Sequence, residues 1–168
     1  MSEATRDGMT AGIAGRPPLP PAPPNWPPGV PRDIEAPRQS IWQNLATSAR
    51  HRPDDIGLRF LDSALTWRQM QDQAERLAGW LRSAGVDRGD RVILFGQNSP
   101  QFVIGFFAIL PADAVIVPIN PMNKAAELGH YIRDSGARVA LAASDIAAEL
   151  IGANASLPTA ERLDAVLA

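Results

Sequence analysis

Between Arg91 and Ala143 the chain places three short apolar runs rich in β-branched residues, Val92–Phe95, Val115–Ile119 and Val139–Ala142, with a helix-length segment in each gap. Parallel strands need a connection long enough to carry the chain back across the sheet, so this alternation predicts βαβ units. The runs are almost continuously apolar, as expected of strands covered on both faces. The fold class expected is α/β: a partial doubly wound parallel sheet (βαβαβ), preceded by a helix and a β-hairpin.

The elements before the sheet follow from local chemistry. Nine of the fifteen residues from Pro17 to Pro31 are proline, which removes backbone donors and favours extended, solvated chain. Residues 1–36 therefore read as a disordered, proline-rich lead-in and 37–168 as the folded domain. Arg16 is out of register with the proline steps that an SH3-type ligand would need, and an exposed indole is costly, so Trp26 is expected to pack down on the domain. Ser40 caps a helix that reaches Arg52, where Pro53 stops it. Ile56–Leu61 and Ala64–Trp67 flank a turn at Asp62-Ser63. Thr66-Trp67-Arg68-Gln69 is a capping box, and Trp67, Met70, Ala74, Leu77, Ala78, Leu81 and Ala84 recur at helical spacing before Gly85 ends the helix.

Within the sheet region, Ser99 caps a helix with Pro100 in its first turn, Gln101–Leu110 is apolar nearly all round, and Pro111 ends it. Asn123 is expected to cap a helix running to Asp134, closed by Gly136. Ser144 begins an Ala-rich helix, and Pro158–Leu167 reads as a short last one.

Composition excludes several chemistries. There is no cysteine, so disulfides, thiolate catalysis and Cys-based metal sites are out. His51 and His130 lie too far apart in sequence to suggest a zinc pair; His51 reads as a helix-end residue, and His130 with Glu127 and Asp134 as a solvated helical face. A net charge of −2 gives no reason to expect nucleic acid or an anionic membrane as partner. The sixteen cations are fifteen arginines and Lys124; Lys124 reads as exposed. With no membrane-length apolar run and no signal-like apolar core, a cytoplasmic protein is expected. Asn154-Ala155-Ser156 matches a glycosylation sequon, taken as chance in that setting.

No dinucleotide fingerprint or phosphate loop follows a strand. The turn Gly96-Gln97-Asn98-Ser99 could offer N–H groups to an anion, although ordinary capping explains it. Ligands of open α/β sheets bind beyond the carboxyl ends of the strands, here Gly96–Asn98, Pro118–Asn123 and Ala143–Asp145.

The segments WPPGVPRDI, LTWRQMQDQAERLAGWL, AGVDRGDRVILFGQNSPQFVIGFFAIL and ADAVIVPINPMNKAAELGHYIRDSGARVALAA follow one another between Trp26 and Ala143. In this order they resemble the N-terminal part of adenylate-forming (AMP-binding) acyl-CoA synthetases, closest to the long-chain fatty-acid–CoA ligases, from about Trp26 to Leu150, roughly three quarters of the chain. Asp113 departs from the glycine that many relatives carry before the Ala-Val, and Pro111 is a second departure. The resemblance implies a two-step ligase reaction: a carboxylate and ATP give acyl-AMP and pyrophosphate with Mg²⁺, and CoA then displaces AMP. It also implies that the phosphate loop, nucleotide motifs, hinge and catalytic lysine lie beyond residue 168. No catalytic and no metal-binding residue is therefore assigned, and ATP, Mg²⁺ and CoA are expected to bind a longer chain and this one not tightly. The loops after the second and third strands are expected on the CoA side, with Asn120, Met122 and Asn123 as the nearby residues. Partners are then the carboxylic acid, ATP and CoA, with self-association through exposed apolar surface. Two other readings stay open: a standalone α/β binding or interaction module, and the same family acting on aryl or amino acids.

Overall fold

A computed structural model describes residues 20–21, 23–32 and 38–168, and the chain divides into two compact units, Met1–Arg38 and Gln39–Ala168. The remainder of the 1–36 lead-in lies outside the described residues. In the first unit the Trp26 N–H donates to the Pro23 carbonyl (2.9 Å) and the Val30 N–H to that of Pro27, so residues 23–30 form two successive turns. Gly29 adopts φ 78° there, a value that suits glycine. Trp26 is 41% exposed, and its indole N–H donates to the Val30 carbonyl at 2.9 Å.

The second unit opens with α1 (Ile41–His51), capped reciprocally by Ser40 and Gln43. Strands β1 (Ile56–Phe60) and β2 (Ser63–Thr66) pair antiparallel. The turn falls one residue earlier than expected, at Leu61-Asp62, because Phe60 pairs with Ser63 and the Ser63 hydroxyl donates to the Phe60 carbonyl at 2.8 Å. Leu61 accordingly takes φ 49° and stands 88% exposed at the tip. The capping box at Thr66 and Gln69 starts α2 (Trp67–Ser83), whose Met70, Ala74, Ala78 and Leu81 are buried. A Cβ on Gly57 would lie 2.7 Å from the Trp67 ring, so glycine is what lets the hairpin lie against this helix.

Four strands, β3 (Arg91–Phe95), β4 (Val115–Ile119), β5 (Val139–Ala142) and β6 (Ala165–Leu167), form one parallel sheet in the order β4-β3-β5-β6. Helices α3 (Pro100–Ile109), α4 (Ala125–Ser135) and α5 (Ala147–Ala155) make the crossovers. Residues on β3 alternate between two cores: Val92 and Leu94 pack with residues of α1, α2 and α3, whereas Ile93 and Phe95 pack with residues of α4 and α5. The sheet is therefore covered on both faces, as the continuous apolar runs demand. β4 is an edge strand, which explains how it tolerates Pro118 and leaves Val115 50% exposed.

Three further boundaries differ from the sequence reading. Pro158–Leu167 is not a helix but a single 3₁₀ turn, Thr159–Glu161, followed by strand β6. Tertiary bonds capture this segment: the Arg138 guanidinium grips both Asp164 carboxylate oxygens at 2.7 Å, and the Asn154 amide exchanges two hydrogen bonds with the Leu163 backbone. The amide of the would-be sequon is thus engaged in holding β6. Lys124 rather than Asn123 precedes α4, its N–H donating to Glu127 Oε2 at 2.9 Å. The last crossover helix starts at Ala147, after a turn at Ser144-Asp145.

The carboxyl ends of the crossover helices receive arginines from elsewhere. Arg82 donates to the Pro111 carbonyl (2.7 Å) just past α3. Arg91 donates to Ser135 (2.7 Å) and Gly136 (3.0 Å) at the end of α4, and Arg162 to Ala155 and Leu157 at the end of α5. These carbonyls have no partner within the helix, and a planar fork can reach two of them at once. Part of the arginine excess is thereby explained by geometry.

Asp113 occupies φ 58°, with its carbonyl accepting from the Gly89 N–H at 2.8 Å. This is a left-handed position, where glycine is the least strained residue and aspartate among the better-tolerated alternatives. Asp113→Gly should therefore leave the urea midpoint unchanged or raise it, whereas Asp113→Val should lower stability by about 1–2 kcal/mol; equal losses in both variants would remove the backbone explanation. Arg91→Ala should cost roughly 1.5–3 kcal/mol in the same assay, for hydrogen bonds from a charged donor. Arg91→Lys should recover only part of it, and full recovery would show that charge alone matters.

Candidate functional site

The strand order decides where a ligand could sit. The connection from β3 leaves through α3 toward β4, and the connection from β5 leaves through α5 toward β6. These crossovers lie on opposite faces of the sheet. The chain ends of the adjacent strands β3 and β5 therefore diverge, opening the crevice that doubly wound sheets use for ligands. A cavity of about 810 Å³ occupies this position.

Its floor is formed by the loops after β3 and β5. Gly96–Ser99 supplies one side and Ala142–Asp145 the other. The Ala143 N–H donates to the Phe95 carbonyl at 2.8 Å, so the two loops stay joined one step beyond the paired residues. A Cβ on Gly96 would lie 3.4 Å from the Ala143 Cβ, which marks how closely they approach. Phe60, Leu77, Phe102 and Leu141 give the cavity an apolar wall, and Gln73 and Gln101 add amides. Ser99 caps α3: its hydroxyl accepts from the Phe102 N–H at 3.2 Å, the ordinary role of a serine at this place.

The lining is mostly apolar and neutral polar, with two serines, Ser99 and Ser144. Among the described residues Asp145 is the only acidic side chain lining the cavity, and neither histidine lines it. Among the described residues no cluster of three His, Asp or Glu side chains could hold a metal, and no buried residue is polar or charged. A hard cation such as Mg²⁺ needs several oxygen ligands, and this set does not fit one. His130 is exposed with its ring 5.7 Å from that of Tyr131, and His51 is exposed at the end of α1. Lys124 pairs at the surface with Glu149 at 3.2 Å.

Asn120, Met122 and Asn123 lie after β4, on the far side of β3 from β5. They form a self-contained turn: the Met122 N–H donates to Asn120 Oδ1 at 2.9 Å and the Asn123 N–H to the Asn120 carbonyl at 3.0 Å. Met122 is 74% exposed, and none of the three lines the cavity. The strand ends Gly96–Asn98 and Ala143–Asp145 share the cavity, whereas Pro118–Asn123, beside β3 on its other side, does not line it. Phe60, Gln73, Leu77 and Phe102 carry no functional signal in the sequence, since their spacing reads as hairpin or helix core. Only the strand order shows that they face the crevice.

Comparison with known proteins gives the family context. The model of the AMP-binding enzyme family matches residues 45–167. The long-chain-fatty-acid–CoA ligase of Bacillus subtilis (strain 168) is 31% identical over 110 residues, 66% of this chain and 20% of that protein. A feruloyl-CoA synthase of an Amycolatopsis species is 42% identical over 91 residues, 54% of this chain and 18% of that protein. Among solved structures, a Mycobacterium tuberculosis fatty acyl CoA synthetase superposes with a TM-score of 0.68 at 27% identity, covering 76% of this chain and 26% of that one. The chain thus spans about a fifth of the length of these two curated relatives.

If Ser99 acts here only as a helix cap, Ser99→Ala should cost about 1 kcal/mol in urea unfolding. The loss should be independent of added ATP or pyrophosphate at millimolar concentration. A stabilisation of the parent chain by either anion that vanishes in the variant would instead make the turn an anion site.

Proposed function

The chain belongs to the AMP-binding enzyme family, and on that premise we propose that it forms the amino-terminal part of the body of an ATP-dependent carboxylic acid–CoA ligase. In the proposed reaction a carboxylate oxygen attacks the α-phosphorus of ATP and the bond to pyrophosphate breaks, leaving an acyl-AMP. The thiol sulfur of CoA then attacks the acyl carbon, and the bond to AMP breaks. A carboxylate is a poor acyl donor until AMP becomes its leaving group, which is why the two steps are coupled.

The observation that carries the reading is a mismatch between cleft and chemistry. The crevice is at the position where such sheets bind ligands, yet among the described residues its lining offers one acidic side chain, no cationic side chain to stabilise a phosphoryl transfer, and no histidine beside its two serines, Ser99 and Ser144. The activity is therefore assigned to a longer polypeptide of which this chain supplies a wall and a scaffold. Asn120, Met122 and Asn123 are retained in this proposal as the residues near the CoA side, on the strength of their place at a strand's carboxyl end. A fatty acid is the proposed substrate, by analogy with the ligase of Bacillus subtilis. The higher identity to a feruloyl-CoA synthase favours an aryl acid as the second reading. Among the described residues no helix is long and apolar enough to cross a membrane.

Purified 168-residue chain should release no pyrophosphate from ATP with palmitate or ferulate, and no acyl-CoA should form when CoA is added. Turnover by this chain would overturn the assignment to a longer polypeptide. The same material should bind a hydrophobic dye and self-associate on a sizing column, through the open crevice and the exposed Leu61, Val115 and Met122. A stable monomer with low dye binding would favour a standalone binding module.

A further inference from the structure

We draw no further inference here: the strongest candidate, the apolar wall of Phe60, Leu77, Phe102 and Leu141 in the crevice between the ends of β3 and β5, belongs to the site already described, and nothing in the structure shows what covers it.

Discussion

The structure depends on a single buried strand. β3 is hydrogen-bonded to β4 on one side and β5 on the other, in parallel register along its length. Its alternate side chains feed separate cores, Val92 and Leu94 on one face, Ile93 and Phe95 on the other. All four are nearly inaccessible to solvent. Burying branched and aromatic side chains at roughly 1.5–3 kcal/mol each relative to exposure makes this strand the largest local source of apolar stabilisation in the sheet. Because the strand has two faces, helices must be supplied to both. The right-handed crossover rule then allocates them, α3 to one face and α4 to the other, as the chain steps first to β4 and then back past β3 to β5.

That allocation leaves helix ends exposed at the rim opposite the crevice, and the chain treats them in a consistent way. Gly136 ends α4 in a left-handed conformation, and the guanidinium of Arg91, the first residue of β3, binds the carbonyls on either side of the helix end. The strand that organises the core thereby also fixes the return of the second crossover. Arg162 does the same for α5 from the segment leading into β6. Each clamp joins the end of one element to the beginning of another, so strand order and helix termination support each other. An ammonium in place of any of these forks would keep the charge and lose the second carbonyl.

Much of this was legible in the residues. The three apolar runs gave the strands β3, β4 and β5 to within one residue, and Ser40, Thr66 and Ser99 marked helix starts through their side-chain oxygens. What escaped was decided by partners distant in sequence. Residues 165–167 carry an apolar run too short to distinguish strand from helix, and they are strand because Arg138 and Asn154 hold the preceding residues against β5. The hairpin turn moved because pairing of Phe60 with Ser63 outweighed the turn preference of Asp62-Ser63. Asp113 carries no local sign of its positive φ, which only the turn between α3 and β4 imposes. The crevice itself was named only as three equivalent strand ends, because local periodicity contains no information on strand order.

Strand order also separates two kinds of residue at the carboxyl rim. The loop after β4 lies at a sheet edge, where Asn120 spends its side chain and its carbonyl on closing its own turn. The loops after β3 and β5 share a boundary, hold each other through the Ala143–Phe95 hydrogen bond, and leave Gln97, Asn98, Ser144 and Asp145 on the cavity's surface. These polar groups are neutral apart from Asp145, and the wall behind them is apolar. The same wall suits contact with something largely apolar, whether further protein or the hydrocarbon part of a ligand. The crevice thus has the location at which doubly wound sheets take ligands and a surface that is largely apolar.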